Sequence, residues 1–169
     1  MEQTAAVVRI ERYRPEFRRA FYDLNVAWLR ALFLIEPIDE RILSDPEGEI
    51  LAHGGVVLFA VLDDEAVGTC ALKQHADGVF ELTKMSVAPS HRELGIGELL
   101  IRAAVAEFHE RAGRTLFLES STKLPNALRL YARLGFVLQP ESRRPGSEYA
   151  RSDVYMIYTP SSEAGRPAQ

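Results

Sequence analysis

The chain has a single cysteine, Cys70, in 169 residues. One thiol excludes an intrachain disulfide and any multi-cysteine metal site. Its four histidines, His53, His75, His91 and His109, are scattered without metal-ligand spacing, so no metal is expected. No apolar run approaches the roughly 18 residues of a membrane span, and no positively charged start leads into a long apolar block of the secretory kind. The reading these absences favour is a cytoplasmic protein with no membrane partner. An excess of basic charge is also missing. The formal net charge is -4 and the pI about 5.6, which disfavours a nucleic-acid partner and favours a cationic one. The Gly-Lys-Ser/Thr end of a P-loop does not occur.

What remains is enough for a packed core. The composition is 47% hydrophobic and 26% charged, which suits one compact domain over residues 1–160, followed by a Ser/Gly/Pro-rich tail over 161–169. Alternation of apolar and polar residues predicts a first strand over 5–13. Pro15 ends it, and apolar residues at helical spacing predict a helix over 16–35, stopped at Pro37. Asp39 suits the start of a short helix to residue 43, and 44–48 has the chemistry of a loop. Strands are predicted over 56–62, 67–72 and 79–87, joined by turns at 63–65 and 76–78 as an antiparallel meander. A helix over 95–111, with Leu99, Leu100, Ala103, Ala104 and Phe108 as its core stripe, ends at Gly113. A strand over 115–119, a helix over 127–134 and closing strands over 136–138 and 153–158 complete the pattern. The strand–helix–strand unit from 79 to 119 implies a parallel pair with a right-handed crossover.

The stretch from Val79 to Ile101 is the most informative. A β-rich run stops at Pro89, a polar turn follows, and Arg92-x-x-Gly95-x-Gly97 opens directly into a helix. Unpaired N–H groups at a helix start carry partial positive charge, and glycine lets a ligand approach the backbone. A phosphate or diphosphate is the natural guest, with Arg92 at its rim. A dinucleotide in a Rossmann site is disfavoured, because the third glycine position falls on Leu100 and the preceding topology is a meander.

Together with Ala127-Leu-Arg-Leu-Tyr131-Ala-Arg-Leu-Gly135-Phe136 downstream, this motif resembles the GCN5-related N-acetyltransferases, and the resemblance runs from the first strand to the last. It implies an α/β (α+β) fold: a mixed, mostly antiparallel central sheet flanked by helices, with a β-bulge and a splayed strand pair at the cofactor cleft. It implies acetyl-CoA as co-substrate, with backbone groups of Met85, Ser86 and Val87 facing the pantetheine arm. The turn Arg92, Glu93, Leu94, Gly95, Ile96, Gly97, with Glu98, would hold the diphosphate. Two positions depart from the pattern. Many members carry glycine where this chain has Glu93. Many also place asparagine seven residues before the tyrosine, where this chain has Leu124. Asn126 and Ser121 are the alternative cofactor contacts.

Acetyl transfer to an amine requires a neutral amine, a stabilised oxyanion and a proton for the leaving thiolate. Backbone N–H groups near Met85 are the implied oxyanion donors. Tyr131 is the implied general acid, and otherwise a half-buried aromatic. Glu81 lies on the strand entering the turn, where it can act as base directly or through water, or pair with Lys73 or Lys84. Strict alternation puts residues 81, 83 and 85 on one face and 82 and 84 on the other, which makes Lys84 structural. Cys70 reads as a buried strand residue, with no activating partner.

The family's acceptor side implicates Asn25, Trp28 and Glu36, although the spacing of Trp28 also suits core packing. The activity implied is acetyl transfer to a primary amine, on a small molecule or a protein, by direct attack in a ternary complex. A non-catalytic acyl-CoA sensor is the alternative. Homodimers are common in the family, and no residue pattern here specifies one.

Overall fold

The computed structural model describes residues 6–141 and 146–160. The tail expected over 161–169 lies outside the described residues. Seven strands form one sheet in the order β1-β2-β3-β4-β5-β7-β6. They are β1 (Arg9–Arg12), β2 (Val56–Leu62), β3 (Glu65–Ala76), β4 (Val79–Val87), β5 (Thr115–Ser120), β6 (Phe136–Leu138) and β7 (Val154–Tyr158). The helices are α1 (Arg18–Leu32), α2 (Pro37–Ser44), α3 (Pro46–Glu49), α4 (Ile96–Glu110) and α5 (Pro125–Arg133). Each ladder is antiparallel except that between β4 and β5, which is parallel as the α4 crossover requires.

The sheet is buried on both faces, so β2 reads as an unbroken apolar run rather than an alternating one. Leu58, Cys70, Leu72, Phe80, Leu100 and Ala104 pack in the layer under α4. Phe21, Leu29, Ile42, Val57 and Phe59 pack in the layer under α1 and α2.

The sequence reading needs four corrections here. The helix over 16–35 stops at Leu32, and Pro37 begins α2 instead of ending α1, because its missing N–H costs nothing at a first turn. The loop over 44–48 contains the short α3, whose start is capped by Asp45 Oδ1 accepting from Gly48 N at 3.0 Å. Strand β3 runs beyond residue 72 to Ala76. Leu99 is 42% exposed and lies outside the α4 core stripe.

The fifth correction concerns β4. In the β3–β4 ladder Ala71 faces Thr83 and Thr69 faces Ser86, so β4 carries one extra residue opposite Cys70. Lys84 absorbs it, at φ 53°. A bulge of this kind switches which face follows. Met85 therefore packs with Leu82 under α4, while Ser86 turns to the α1 side and its Oγ donates to Leu24 O at 2.7 Å. Lys84 is not on the face opposite Glu81. Its ammonium reaches α2, donating to Asp39 Oδ1 at 2.7 Å and to Tyr149 Oη at 3.1 Å.

Asp39 has no exposed surface. Arg151 donates to both its oxygens at 2.7 Å, and Glu36 N–H donates to Oδ2 at 2.9 Å. Glu36 in turn accepts from Arg151 and from Ala150 N–H. Two cations and two carboxylates so tie α2 to the β4 bulge and to the segment before β7. Burial acts to raise the Asp39 carboxyl, but the bonds from Arg151 and Lys84 outweigh it and hold it down at about 2. Its stabilisation is therefore fully present above the ordinary carboxylate range and is lost as the pH falls through about 2. Asp39→Ala leaves a buried ammonium short of its partner and is expected to cost about 3–5 kcal/mol. Urea denaturation of both proteins checks this, and Asp39→Asn should flatten the wild-type loss of stability between about pH 4 and pH 2.

Candidate functional site

The β4–β5 ladder pairs Val79 with Thr115, Phe80 with Leu116 and Glu81 with Phe117, and stops there. Both strands continue, β4 to Val87 and β5 to Ser120. They part, and the β5-facing backbone of β4 beyond Glu81 is left without a ladder partner. Buried backbone groups need partners, so this edge is prepared for a ligand with amide groups of its own.

A cavity of about 450 Å³ fills the opening. The two strands supply Glu81, Lys84, Met85, Ser86, Val87 and Glu119 to its wall. Trp28 and Phe33 from the α1 end form an aromatic side, their rings edge to face at 6.0 Å. Ser121, Asn126 and Tyr131 border it from the α5 side, and Tyr149, Arg151 and Ser152 close it from the segment before β7. Ser152 Oγ is buried with no hydrogen-bond partner among the described residues.

Arg92 stands at the cavity edge, with Nε donating to Val87 O at 3.4 Å. The rest of the turn, Glu93 to Glu98, continues past the lining to the N-terminus of α4. No side chain caps that helix, whose N-cap is Gly95 at φ 77°. A Cβ built on Gly95 would meet nothing within 4 Å, so the space in front of these amides is open. Gly97 has a different role: a Cβ there would come within 3.2 Å of Leu130 and 3.6 Å of Met85, so its absence lets α4 approach α5 and β4. Glu93 occupies the left-handed region at φ 65°. That is the conformation for which glycine is preferred, so the departure noted in the sequence falls on a strained residue. The Glu98 carboxylate is turned aside to Arg102, at 2.9 Å, and Arg133, at 3.5 Å.

Glu81 is 6% exposed, and its Oε1 lies 2.8 Å from His75 Nε2. Lys73 is its ladder partner, but the carboxylate bonds to the histidine and to neither lysine. Tyr131 packs its ring on Phe136 at 6.0 Å. Burial, with a smaller push from Cys70, raises its phenol well above the usual range, so the hydroxyl keeps its proton at neutral pH. Burial pushes the Cys70 thiol up to about 12, and its Sγ contacts Leu100 O at 3.7 Å. It is the buried strand residue the sequence suggested, not a nucleophile. The Lys84 ammonium is lowered by burial, with Asp39 opposing.

Of the acceptor-side residues named from the sequence, Trp28 borders the cavity. Asn25 has no exposed surface, donates to Phe21 O and accepts from Trp28 Nε1. Glu36 is engaged by Arg151 and Ala150. Ser121 is 4% exposed, with Oγ accepting from Lys123 N–H at 3.2 Å, while Asn126 is exposed and bonded to Arg129. The sequence did not bring in His75, Tyr149, Arg151 or Ser152. Their distance along the chain from the Arg92 motif hid the last three. For His75 the 76–78 turn was a usable signal, since a hairpin there folds β3 back beside Glu81.

The chain superposes on a GNAT-family acetyltransferase from Staphylococcus aureus Mu50 with a TM-score of 0.82 at 20% identity, covering 90% of this chain and 98% of that one. A putative acetyltransferase from Salmonella typhimurium, solved with its cofactor acetyl-CoA, gives a TM-score of 0.69 at 18% identity over 89% of this chain and 91% of that one. The PaiA N-acetyltransferase from Thermoplasma acidophilum, in complex with coenzyme A, gives 0.68 at 16% over 90% and 98%. Residues 12–136 match the family model described as Acetyltransferase (GNAT) family. The chain belongs to that family. No group of three or more His, Cys, Asp or Glu among the described residues is arranged to hold a metal, and no helix among them is long and apolar enough to cross a membrane.

The two left-handed residues of the turn give a paired stability test. Gly95→Ala imposes a left-handed penalty of about 1–2 kcal/mol, and Glu93→Gly releases one of similar origin, offset in part by glycine's chain entropy. Thermal denaturation is expected to show a lowered Tm for the first and an unchanged or raised Tm for the second.

Proposed function

We propose that this protein transfers an acetyl group from acetyl-CoA to a primary amine, by direct attack with both substrates bound. The single observation that carries the reading is the shared cavity. A buried carboxylate, Glu81, and a protonated phenol, Tyr131, border one space whose edge runs to the uncapped start of α4.

The residues present fit a CoA thioester. The open amides from Gly95 to Glu98 and the Arg92 guanidinium suit a diphosphate. The ladder-free edge of β4 at Met85, Ser86 and Val87 suits the amides of a pantetheine arm. Ser121 and Asn126 both border the cavity and are both kept as contacts. When bound, the thioester supplies the activated acyl group. The chain's own part is to orient the amine, take its proton at Glu81 and deliver a proton from Tyr131 Oη to the leaving sulfur. Met85 N–H is the donor assigned to the carbonyl oxygen as it gains charge. Direct attack is favoured over an acyl-enzyme because the one thiol is buried and protonated. Trp28 is assigned to the acceptor side, where its ring forms a wall. The placements of Asn25 and Glu36 suit supporting that side through Trp28 and Arg151.

Calorimetry with acetyl-CoA, followed by detection of free CoA over a panel of amines, tests the reading. The protein is expected to bind acetyl-CoA and to release CoA with at least one amine. Tyr131→Phe is expected to lower kcat by about tenfold to a thousandfold, while the affinity for CoA stays within twofold of wild type. Binding with no turnover across the panel would assign the non-catalytic sensor role instead, and full activity of Tyr131→Phe at every pH would remove the general-acid assignment.

A further inference from the structure

We propose that His75 carries the acceptor's proton from Glu81 out of the cleft to bulk water, which makes it a positioning and relay residue for the transfer reaction. The proposal rests on the acetyltransferase reading above and deepens it at one site.

The geometry begins with an irregularity in β3. Gln74 faces Phe80 and Ala76 faces Val79, so His75 is an extra residue with no ladder partner. Bulges re-aim side chains, and this one sends the imidazole along the strand to Glu81, with Nε2 at 2.8 Å from Oε1. The imidazole is braced against the Phe117 ring at 5.4 Å. The two partners differ sharply in exposure: the Glu81 side chain is 7% exposed and that of His75 35%. A carboxylate enclosed at the cavity wall is therefore joined to the solvent through one ring. The parting of β4 and β5 begins at the Glu81–Phe117 pair, so the dyad sits at the closed end of the fork. That is the end a proton must cross when the substrates fill the open one.

The charges around the dyad are few. Lys73 lies beside it on β3 and is the ladder partner of Glu81. Lys84 and Tyr149 are electrostatically coupled to Glu81 from the bulge and from the segment before β7. On the β5 side His75 meets the uncharged Phe117 ring, with Tyr155 beyond it at 5.5 Å and Glu119 farther along the strand. The Lys84 bonds to Asp39 and Tyr149 do not compete for the Oε1–Nε2 contact.

The proton balance closes without a further reactant. An N–H bond of the acceptor ammonium breaks and an O–H bond forms on Glu81. A proton leaves Oε1 for Nε2 of a neutral His75, which gives an imidazolium beside a carboxylate. The imidazolium then loses its Nδ1 proton to bulk water, exchange of the remaining ring proton with solvent restores the Nδ1–H tautomer that accepts at Nε2 in the next turnover, and no atom changes oxidation state.

His75→Gln keeps an N–H able to hold Glu81 but cannot relay a proton, so it separates relay from support. Wild type, His75→Gln and Glu81→Gln are assayed for acetyl-CoA turnover with an accepted amine, in weak and strong buffer, across pH. CoA affinity and Tm are measured in parallel. The proposal expects His75→Gln to lose at least tenfold in kcat in weak buffer, with CoA affinity and Tm unchanged and activity restored by added imidazole. It also expects Glu81→Gln to lose at least as much without imidazole rescue. Wild-type turnover together with an equally active His75→Gln at every pH overturns the relay alone. A loss in His75→Gln that imidazole does not restore, or that tracks a fallen Tm, also overturns it. A wild-type protein that transfers nothing to any amine overturns the acetyltransferase reading and the relay with it.

Discussion

The cleft exists because β4 stops pairing with β5 after Glu81, and that break is held open from below. A parallel ladder left to itself would continue, since each added pair satisfies backbone groups. Here the extra residue at Lys84 throws β4 out of step with its neighbour, and the ammonium it projects is pinned in a buried cluster with Asp39, Tyr149 and, through Asp39, Arg151. Strand, helix and the pre-β7 segment meet at one carboxylate. The cost of enclosing those charges is met by their pairing and by the Glu36 N–H bond, and the arrangement is one in which no member can leave cheaply.

That constraint also sorts the side chains. Without the bulge, Met85 would face α1 and Ser86 would face α4. With it, Met85 joins the α4 layer next to Gly97, and Ser86 ties β4 to the middle of α1 through Leu24. Glu81, just before the bulge, keeps its place on the cavity wall, which Trp28 and Phe33 also line. One inserted residue thus sends Met85 to the α4 layer and Ser86 to the α1 side.

The sequence carried the architecture well where one physical signal acted alone. The meander of β2 to β4 followed from alternation and tight turns, and α4 followed from Gly95, a sustained apolar stripe and Gly113. Residues at which two signals competed were misread. Pro37 could end one helix or begin another, and the capping box formed by Glu36 and Asp39 around it goes with the second. Leu99 matched the helical stripe, but the stripe is narrower than its period suggests because Leu100, Ala104 and Phe108 already fill the layer. The α3 turn was masked by residues that also make loops. Strict alternation along β4 failed because no residue type announces a bulge when a lysine, not a glycine, takes the left-handed position. The motif around Arg92 was legible as an anion cradle. The cluster around Asp39 was not, because residues 36, 39, 84, 149 and 151 come together only through the sheet.

Backbone strain falls on five non-glycine residues with positive φ among the described residues. Asp63 and Asp64 take positive φ in the two-residue hairpin turn, and Ala112 does so where α4 ends; these are local requirements of chain reversal. Lys84 and Glu93 have no such excuse. One interrupts a strand at the cavity wall and the other precedes a helix beyond the cavity edge, at φ 53° and 65°. Each costs about 1 kcal/mol or more against an extended or right-handed alternative. The Lys84 strain sets the fork and the Glu93 strain shapes the turn that leads to the exposed amides of α4.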